Sequence, residues 1–219
     1  MTATWPPGGL IQATLLRRTL DVGTELWRVH EATRFAPEAF NPVHRPSCSL
    51  AGGRFDSVTG NFAHLHAATN MRGALAETFA REVTFPAEHR PILAARLAGR
   101  ALSQLVTTRP LTLISVQGPG VVSLGAGPWL TGGDEGVYPV SRQWAQAIHD
   151  AAAPEAGGLI WQSRHDPATT SVMLWESSAA TGIVAGGVSY RLDADIPSAA
   201  RAITEYLAEW GLYVPKRNA

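Results

Sequence analysis

Three residues that could together bind an anionic ligand with a reacting cationic carbon follow one another closely in the sequence. Arg54 comes directly after Gly52-Gly53, where glycine permits a tight or positive-φ turn. His66 lies at the end of a predicted strand, and Glu77 lies on a predicted amphipathic helix, residues 71–82. Glu77 has small and apolar neighbours, where a carboxylate is unusual unless a polar group meets it. We therefore predict one site that contains all three side chains.

A second guanidinium, Arg28, lies in an apolar strand between Trp27 and Val29. The local pattern fits equally well an arginine at a sheet edge and a functional one. Arg28 and Arg54 together would suit a pyrophosphate, because arginine binds phosphate oxygens bidentately and stays charged. No glycine-rich nucleotide fingerprint follows any predicted strand.

The histidines and one serine suggest two further chemistries, and neither is favoured. His64 and His66 are two residues apart, which places both side chains on one face of a strand. No third ligand follows at a diagnostic spacing, and we predict that the protein binds no metal. Ser163, with His165 and Asp166 close behind, lacks the Gly-x-Ser-x-Gly elbow of a serine hydrolase. We expect the Ser163 hydroxyl to hydrogen-bond a ligand.

The composition excludes several classes of protein. With 45% apolar and 16% charged residues among 219, the chain is globular rather than disordered. Lysine and arginine (18) balance aspartate and glutamate (18), which gives no electrostatic footprint for nucleic acid. A single cysteine excludes an internal disulfide framework. Because no apolar run is long enough to span a bilayer and no signal peptide is evident, we expect a cytoplasmic protein.

Residues 1–24 are predicted to form a loose leader, and residues 25–219 one catalytic domain that includes a C-terminal helix. Strands in groups with few helices between them favour an α+β fold over a doubly wound sheet. Ser141 is the expected N-cap of one helix, and the segment rich in glycine and proline, residues 118–136, is expected to be a long surface loop. The predicted strands are residues 26–30, 61–68, 92–97, 111–116, 159–161 and 171–176, and the predicted helices are residues 71–82, 138–153 and 197–210.

The order and spacing of several short motifs resemble the RES domain family, which is named for its Arg, Glu and Ser. The resemblance spans about residues 25–190. The motifs are Trp27-Arg28-Val29, Gly52-Gly53-Arg54-Phe55, Leu65-His66-Ala67-Ala68, Ala74-Leu75-Ala76-Glu77 and Gly158-Leu159-Ile160-Trp161-Gln162-Ser163-Arg164.

The resemblance implies a fold similar to ADP-ribosyltransferase toxins, with mixed or antiparallel sheets flanked by a few helices, and a reaction on NAD+. Carried over by motif, Glu77, Arg28 and Ser163 are the expected catalytic residues. Arg54 and His66 would bind NAD+ with Arg28 and Ser163. Where the family usually has Tyr, this chain has His66, which can still stack on nicotinamide but is smaller and can be charged.

The activity that the resemblance implies is cleavage of the nicotinamide–ribose bond, by an NAD+ phosphorylase or glycohydrolase that is the toxin of a toxin–antitoxin pair. No cofactor is expected beyond NAD+ as substrate, with inorganic phosphate as an optional co-substrate. The expected partner is an antitoxin protein. We expect the protein to bind neither nucleic acid nor a membrane, and self-association stays open. Two alternatives stay open: transfer of ADP-ribose to a protein, and a nucleotide-binding module without catalysis.

Overall fold

The computed structural model describes residues 3–6, 15–46, 48–80, 90–92, 94–194 and 200–213. The strands are β1 (Arg17–Leu20), β2 (Glu25–Glu31), β3 (His64–Ala68), β4 (Arg90–Pro91), β5 (Arg100–Thr107), β6 (Leu111–Ser115), β7 (Gly158–Gln162), β8 (Thr170–Trp175), β9 (Ile183–Arg191) and β10 (Leu212–Tyr213). The α-helices are α1 (Met71–Phe79), α2 (Ala94–Leu97), α3 (Pro119–Ser123), α4 (Trp129–Gly132), α5 (Tyr138–Ala152), α6 (Glu176–Ala179) and α7 (Arg201–Glu209).

Within these residues the main sheet has eight strands in the order β1-β6-β7-β8-β3-β2-β5-β9. Every neighbouring pair is antiparallel except β6 and β7, so the sheet is mixed. Strands β2 and β3 pair only at Trp27 and Ala68, whereas β2 pairs with β5 along its whole length. The sheet is thus two halves, of five and three strands, which meet at one residue pair.

Helices cover one face of each half and bury its apolar side chains. Against the larger half, Trp144 and Ile148 of α5 pack with Trp161, Met173 and Trp175 of the sheet. Against the smaller half, α1 and α7 share a core cluster with Trp27 and Leu102. A third cluster includes Leu65 and Ala67, which alternate along β3 with His64 and His66 and so lie on its opposite face.

The α+β class is confirmed, and so are most of the predicted elements. The helix predicted at residues 138–153 and the strands at 26–30, 111–116, 159–161 and 171–176 appear with shifts of one or two residues. The helix predicted at 71–82 ends at Phe79, with residues 81–82 outside the described part of the chain. The C-terminal helix runs over Arg201–Glu209, and residues 197–199 of the prediction also lie outside the described part. None of the described helices is long and apolar enough to cross a membrane.

The predicted strand at residues 92–97 is wrong, because Ala94–Leu97 forms the short helix α2. Ala, Arg and Leu are strong helix formers, and this local preference favours a helix at these residues. Strand β5 follows it and was missed, since Ser103 and Gln104 interrupt its apolar pattern.

The predicted leader and long loop also need correction. Arg17–Leu20 belongs to the sheet as edge strand β1, with its first three side chains exposed and therefore without an apolar signal. The segment 118–136 contains α3 and α4 rather than one open loop. The N-cap of α5 is Val137 rather than Ser141. The buried Ser141 hydroxyl donates to the Val137 carbonyl at 3.1 Å.

Helix α1 lies against the junction of the two half-sheets and carries Glu77. Its N-cap is Asn70, whose side-chain oxygen accepts the Gly73 N–H at 2.7 Å. A Cβ at Gly73 would lie 2.9 Å from the Ala68 Cβ and 2.9 Å from the Thr169 Oγ1. Glycine therefore lets the helix approach the sheet at the residue pair that joins its halves.

We predict that Gly73→Ala lowers the free energy of unfolding by about 1 kcal/mol or more, although alanine usually stabilises a helix. Urea denaturation would measure the change. Gly132→Ala is the matched control, because its Cβ would meet nothing within 4 Å. A stabilised Gly73→Ala protein would show that the helix does not press against Ala68.

Candidate functional site

A cavity of about 570 Å³ opens beside the Trp27–Ala68 pair, where strands β2 and β3 diverge. Four predicted site residues line it, and Ser163 does not. Its charged lining is mainly cationic, with six guanidiniums and three carboxylates, so it suits an anionic ligand. These are Arg28, Arg45, Arg54, Arg96, Arg100, Arg164, Asp56, Glu77 and Glu135.

The carboxylate of Glu77 is partly buried in the cavity wall and has a fixed neighbour. The hydroxyl of Ser171, on β8, donates to Glu77 Oε1 at 3.2 Å. Helix α1 and strand β8 therefore position the acid together. A carboxylate held in this way can stabilise a cation that forms beside it, because it needs little reorganisation.

Arg28 is almost completely buried, with 9% of its surface exposed. Its Nη1 donates to the carbonyls of Pro37 and Ala39, each at 2.7 Å. Among the described residues its Nε has no hydrogen-bond partner. Burial lowers the pKa of Arg28 to about 10, and the nearby Glu38 charge opposes that shift. The guanidinium remains cationic at neutral pH.

Arg54 connects the cavity to the segment that contains α4. It donates to the Leu130 carbonyl at 3.2 Å and to the Gly133 carbonyl at 2.7 Å, and it lies over the Tyr138 ring at 4.8 Å. Arg164 donates to the same Gly133 carbonyl at 2.5 Å. Two arginines of the cavity thus hold one of its walls through a single carbonyl.

His66 faces the cavity beside a buried acid–histidine pair that the sequence analysis did not identify as part of the site. The Asp56 Oδ1 lies 3.3 Å from the His64 Nε2, and Asp56 Oδ2 accepts the Gly53 N–H at 2.7 Å. Burial alone would raise the pKa of Asp56, but the hydrogen bond and charge of His64 outweigh it and lower that pKa to about 2. In the sequence, the position of Asp56 three residues after the Gly52-Gly53 turn was the feature that could have placed it in the site.

The loop before Arg54 is held by a second residue that the sequence analysis missed, Arg142 of α5. Its side chain is fully buried and donates to the carbonyls of Gly53 at 2.9 Å and Ala51 at 2.6 Å, and also to that of Ser49. Burial lowers the pKa of Arg142. The loop that carries Arg54 and Asp56 is therefore fixed from inside the protein.

Ser163 has a different environment from the one expected. It is 2% exposed, and its Oγ accepts the backbone N–H groups of His165 and Asp166, each at 3.2 Å. These bonds shape the turn that places Arg164 and His165 in the cavity lining. The ligand-binding role of Ser163 stays a prediction, and the serine that reaches the cavity is Ser171.

The chain is similar to a known protein family in sequence and to a solved structure in fold. The family model of the RES domain matches residues 25–213. A chain of the crystal structure of the M. tuberculosis MbcT–MbcA toxin–antitoxin complex has a TM-score of 0.56 and 14% identity, over 87% of this chain and 92% of that chain. At this identity the likeness is one of fold. No curated protein matches the chain.

We predict that Ser163→Ala lowers the free energy of unfolding by about 1–3 kcal/mol, because two N–H groups lose their acceptor. Chemical denaturation would measure the loss. Ser177→Ala serves as the control, since Ser177 is exposed and its change should stay within about 0.5 kcal/mol. Equal stability of the two variants would contradict a structural role for the Ser163 hydroxyl.

Proposed function

Because the chain belongs to the RES domain family, we propose that it cleaves the nicotinamide–ribose bond of NAD+ and is the toxin of a toxin–antitoxin pair. The observation that carries this proposal is the Glu77 carboxylate, oriented by Ser171 in a cavity whose other charges are mostly guanidiniums. An oriented acid among mostly cationic groups fits a dinucleotide with an anionic middle and a cationic reacting end.

The chemistry follows from the charges of the substrate. As the bond breaks, the electron pair leaves with the nicotinamide nitrogen, and positive charge develops on the ribose as in glycoside cleavage. Glu77 would stabilise that charge and hold a ribose hydroxyl. Water or inorganic phosphate then attacks the same carbon, which gives ADP-ribose or its 1-phosphate.

The remaining lining residues would bind and orient the substrate. Arg28 and Arg54 would hold the pyrophosphate, since both keep their charge in the cavity. His66 would pack on the nicotinamide ring beside Trp161, whose ring centroid is 6.1 Å from that of the imidazole. Each of these contacts forms before the bond breaks, so its loss should raise KM more than it lowers kcat.

The proposal of a toxin is supported by the fold shared with a chain of a toxin–antitoxin complex. A cognate antitoxin would neutralise the protein by covering the cavity, which would keep NAD+ from Glu77. An acidic segment of the antitoxin would complement the six guanidiniums of the lining.

We predict that the purified protein releases nicotinamide from NAD+ and that Glu77→Gln slows release by about 10²-fold or more, because the amide cannot neutralise the ribose cation. Release is followed by chromatography with and without phosphate, which also identifies the acceptor. Glu205→Gln, at an exposed glutamate of α7, is the matched control and should keep the wild-type rate. Folded protein that releases no nicotinamide in either buffer would refute the activity. Radiolabel appearing on proteins instead would favour ADP-ribose transfer.

We predict that Ser171→Ala lowers kcat by about tenfold or more with little change in KM, because a hydrogen bond to a charged group contributes about 1.5–3 kcal/mol. The hydroxyl positions Glu77 and does not itself meet the reacting carbon. Steady-state kinetics separate the two constants, and circular dichroism checks the fold. An unchanged kcat would mean that Glu77 does not depend on Ser171 for its position.

A further inference from the structure

Three metal-ligand side chains converge on the wall of the cavity. The ligand atoms of Asp56, His64 and His66 all lie within 4.8 Å of one another. Asp56 is the third donor that spacing in the sequence did not indicate, since it reaches the strand from the loop after Gly53. One carboxylate and two imidazoles form a ligand set that zinc accepts.

The spacing of Asp56 and His64 fits coordination of a metal ion as well as direct pairing. The Asp56 Oδ1 and His64 Nε2 are 3.3 Å apart. This is longer than a strong charge-assisted hydrogen bond, which is about 2.7–2.9 Å long. Two corners of a tetrahedron with metal–ligand distances of about 2.0–2.2 Å are about 3.3–3.5 Å apart. The two donors already stand at the spacing that a tetrahedral ion requires.

Backbone groups hold two of the three donor residues in place. Asp56 is oriented by the Gly53 N–H, and the His64 backbone exchanges hydrogen bonds with Asn41 at 2.7 and 3.0 Å. A hydrogen bond to the ligand side chain, such as the one that Asp56 accepts, raises metal affinity. His66 lies two residues along β3 on the same face, and its ring is reached from the cavity. One ring nitrogen of His66 lies within 4.8 Å of the ligand atoms of Asp56 and His64.

We propose, against the expectation from the sequence, that Asp56, His64 and His66 bind one Zn²⁺ and that the ion inhibits the cleavage proposed above. All three donor residues line the cavity, where the nicotinamide ring would pack on His66. Zinc and dinucleotide therefore compete for one space. The inhibition rests on the proposed function, whereas the binding of zinc does not.

The binding experiment is a calorimetric titration of ZnCl₂ into untagged protein in a Cys48→Ser background, because Cys48 is an exposed thiol that could bind zinc. One ion per chain is expected. His66→Tyr should weaken binding at least about tenfold, since removal of a direct ligand exceeds the loss from an outer partner. His165→Asn, which removes another histidine of the cavity lining, should bind as the parent does.

Asp56→Asn should weaken binding in the same way. If that variant fails to fold, His66→Tyr still decides the matter, because its side chain faces the cavity. Binding that is absent from the parent protein, or equal in the parent and His66→Tyr, would overturn the site.

Inhibition is measured separately, as nicotinamide release against zinc concentration, with each variant compared with its own zinc-free rate. The parent and His165→Asn should be inhibited at concentrations at least about tenfold below those needed for His66→Tyr. Zinc that binds without slowing release would overturn the inhibitory role. A protein that binds zinc but never cleaves NAD+ would refute the proposed function and leave the metal site standing.

Discussion

One backbone pairing, Trp27 with Ala68, joins the two halves of the sheet, and the site depends on it. Beyond that pair β2 and β3 diverge, so that residues of both strands border a cavity rather than each other. A continuous pairing would close the opening and leave Arg28 and His66 without a shared space. Helix α1 lies on the same pair through Gly73, and Glu77 follows one helical turn later on the side of the cavity.

Backbone carbonyls, rather than carboxylates, accept many of the hydrogen bonds from the arginines around the cavity. Arg142, Arg28 and Arg54 all donate to carbonyl oxygens of neighbouring loops. Such bonds satisfy the guanidinium N–H groups and fix the loops, but they do not neutralise the positive charge. The same side chains that hold the walls therefore keep the interior cationic. This arrangement explains how a chain with no net charge can attract an anion.

Among the residues that line the cavity, the sequence indicated those that break a local pattern. Glu77 stood out as an acid among apolar neighbours, and Arg28 as a cation in an apolar strand; both line the cavity. Asp56 and Ser171 were missed because polar residues are common beside turns and in strands. Only the tertiary structure shows that these two reach the cavity. Ser163 and Ser171 are eight residues apart, and only the turn between them decides which hydroxyl meets Glu77. Edge strand β1 was missed for a related reason, since its exposed side chains carry no apolar alternation.

The proposed function requires one cavity to hold the whole dinucleotide, with Glu77 at its reacting carbon. A crystal structure with carba-NAD+, whose carbocyclic ring resists cleavage, would show where the dinucleotide lies. The carbon bonded to nicotinamide is expected about 3–4 Å from the Glu77 carboxylate, with the pyrophosphate on Arg28 or Arg54. An analogue bound outside the cavity, or bound within it with its pyrophosphate at Glu77, would refute this placement of the substrate.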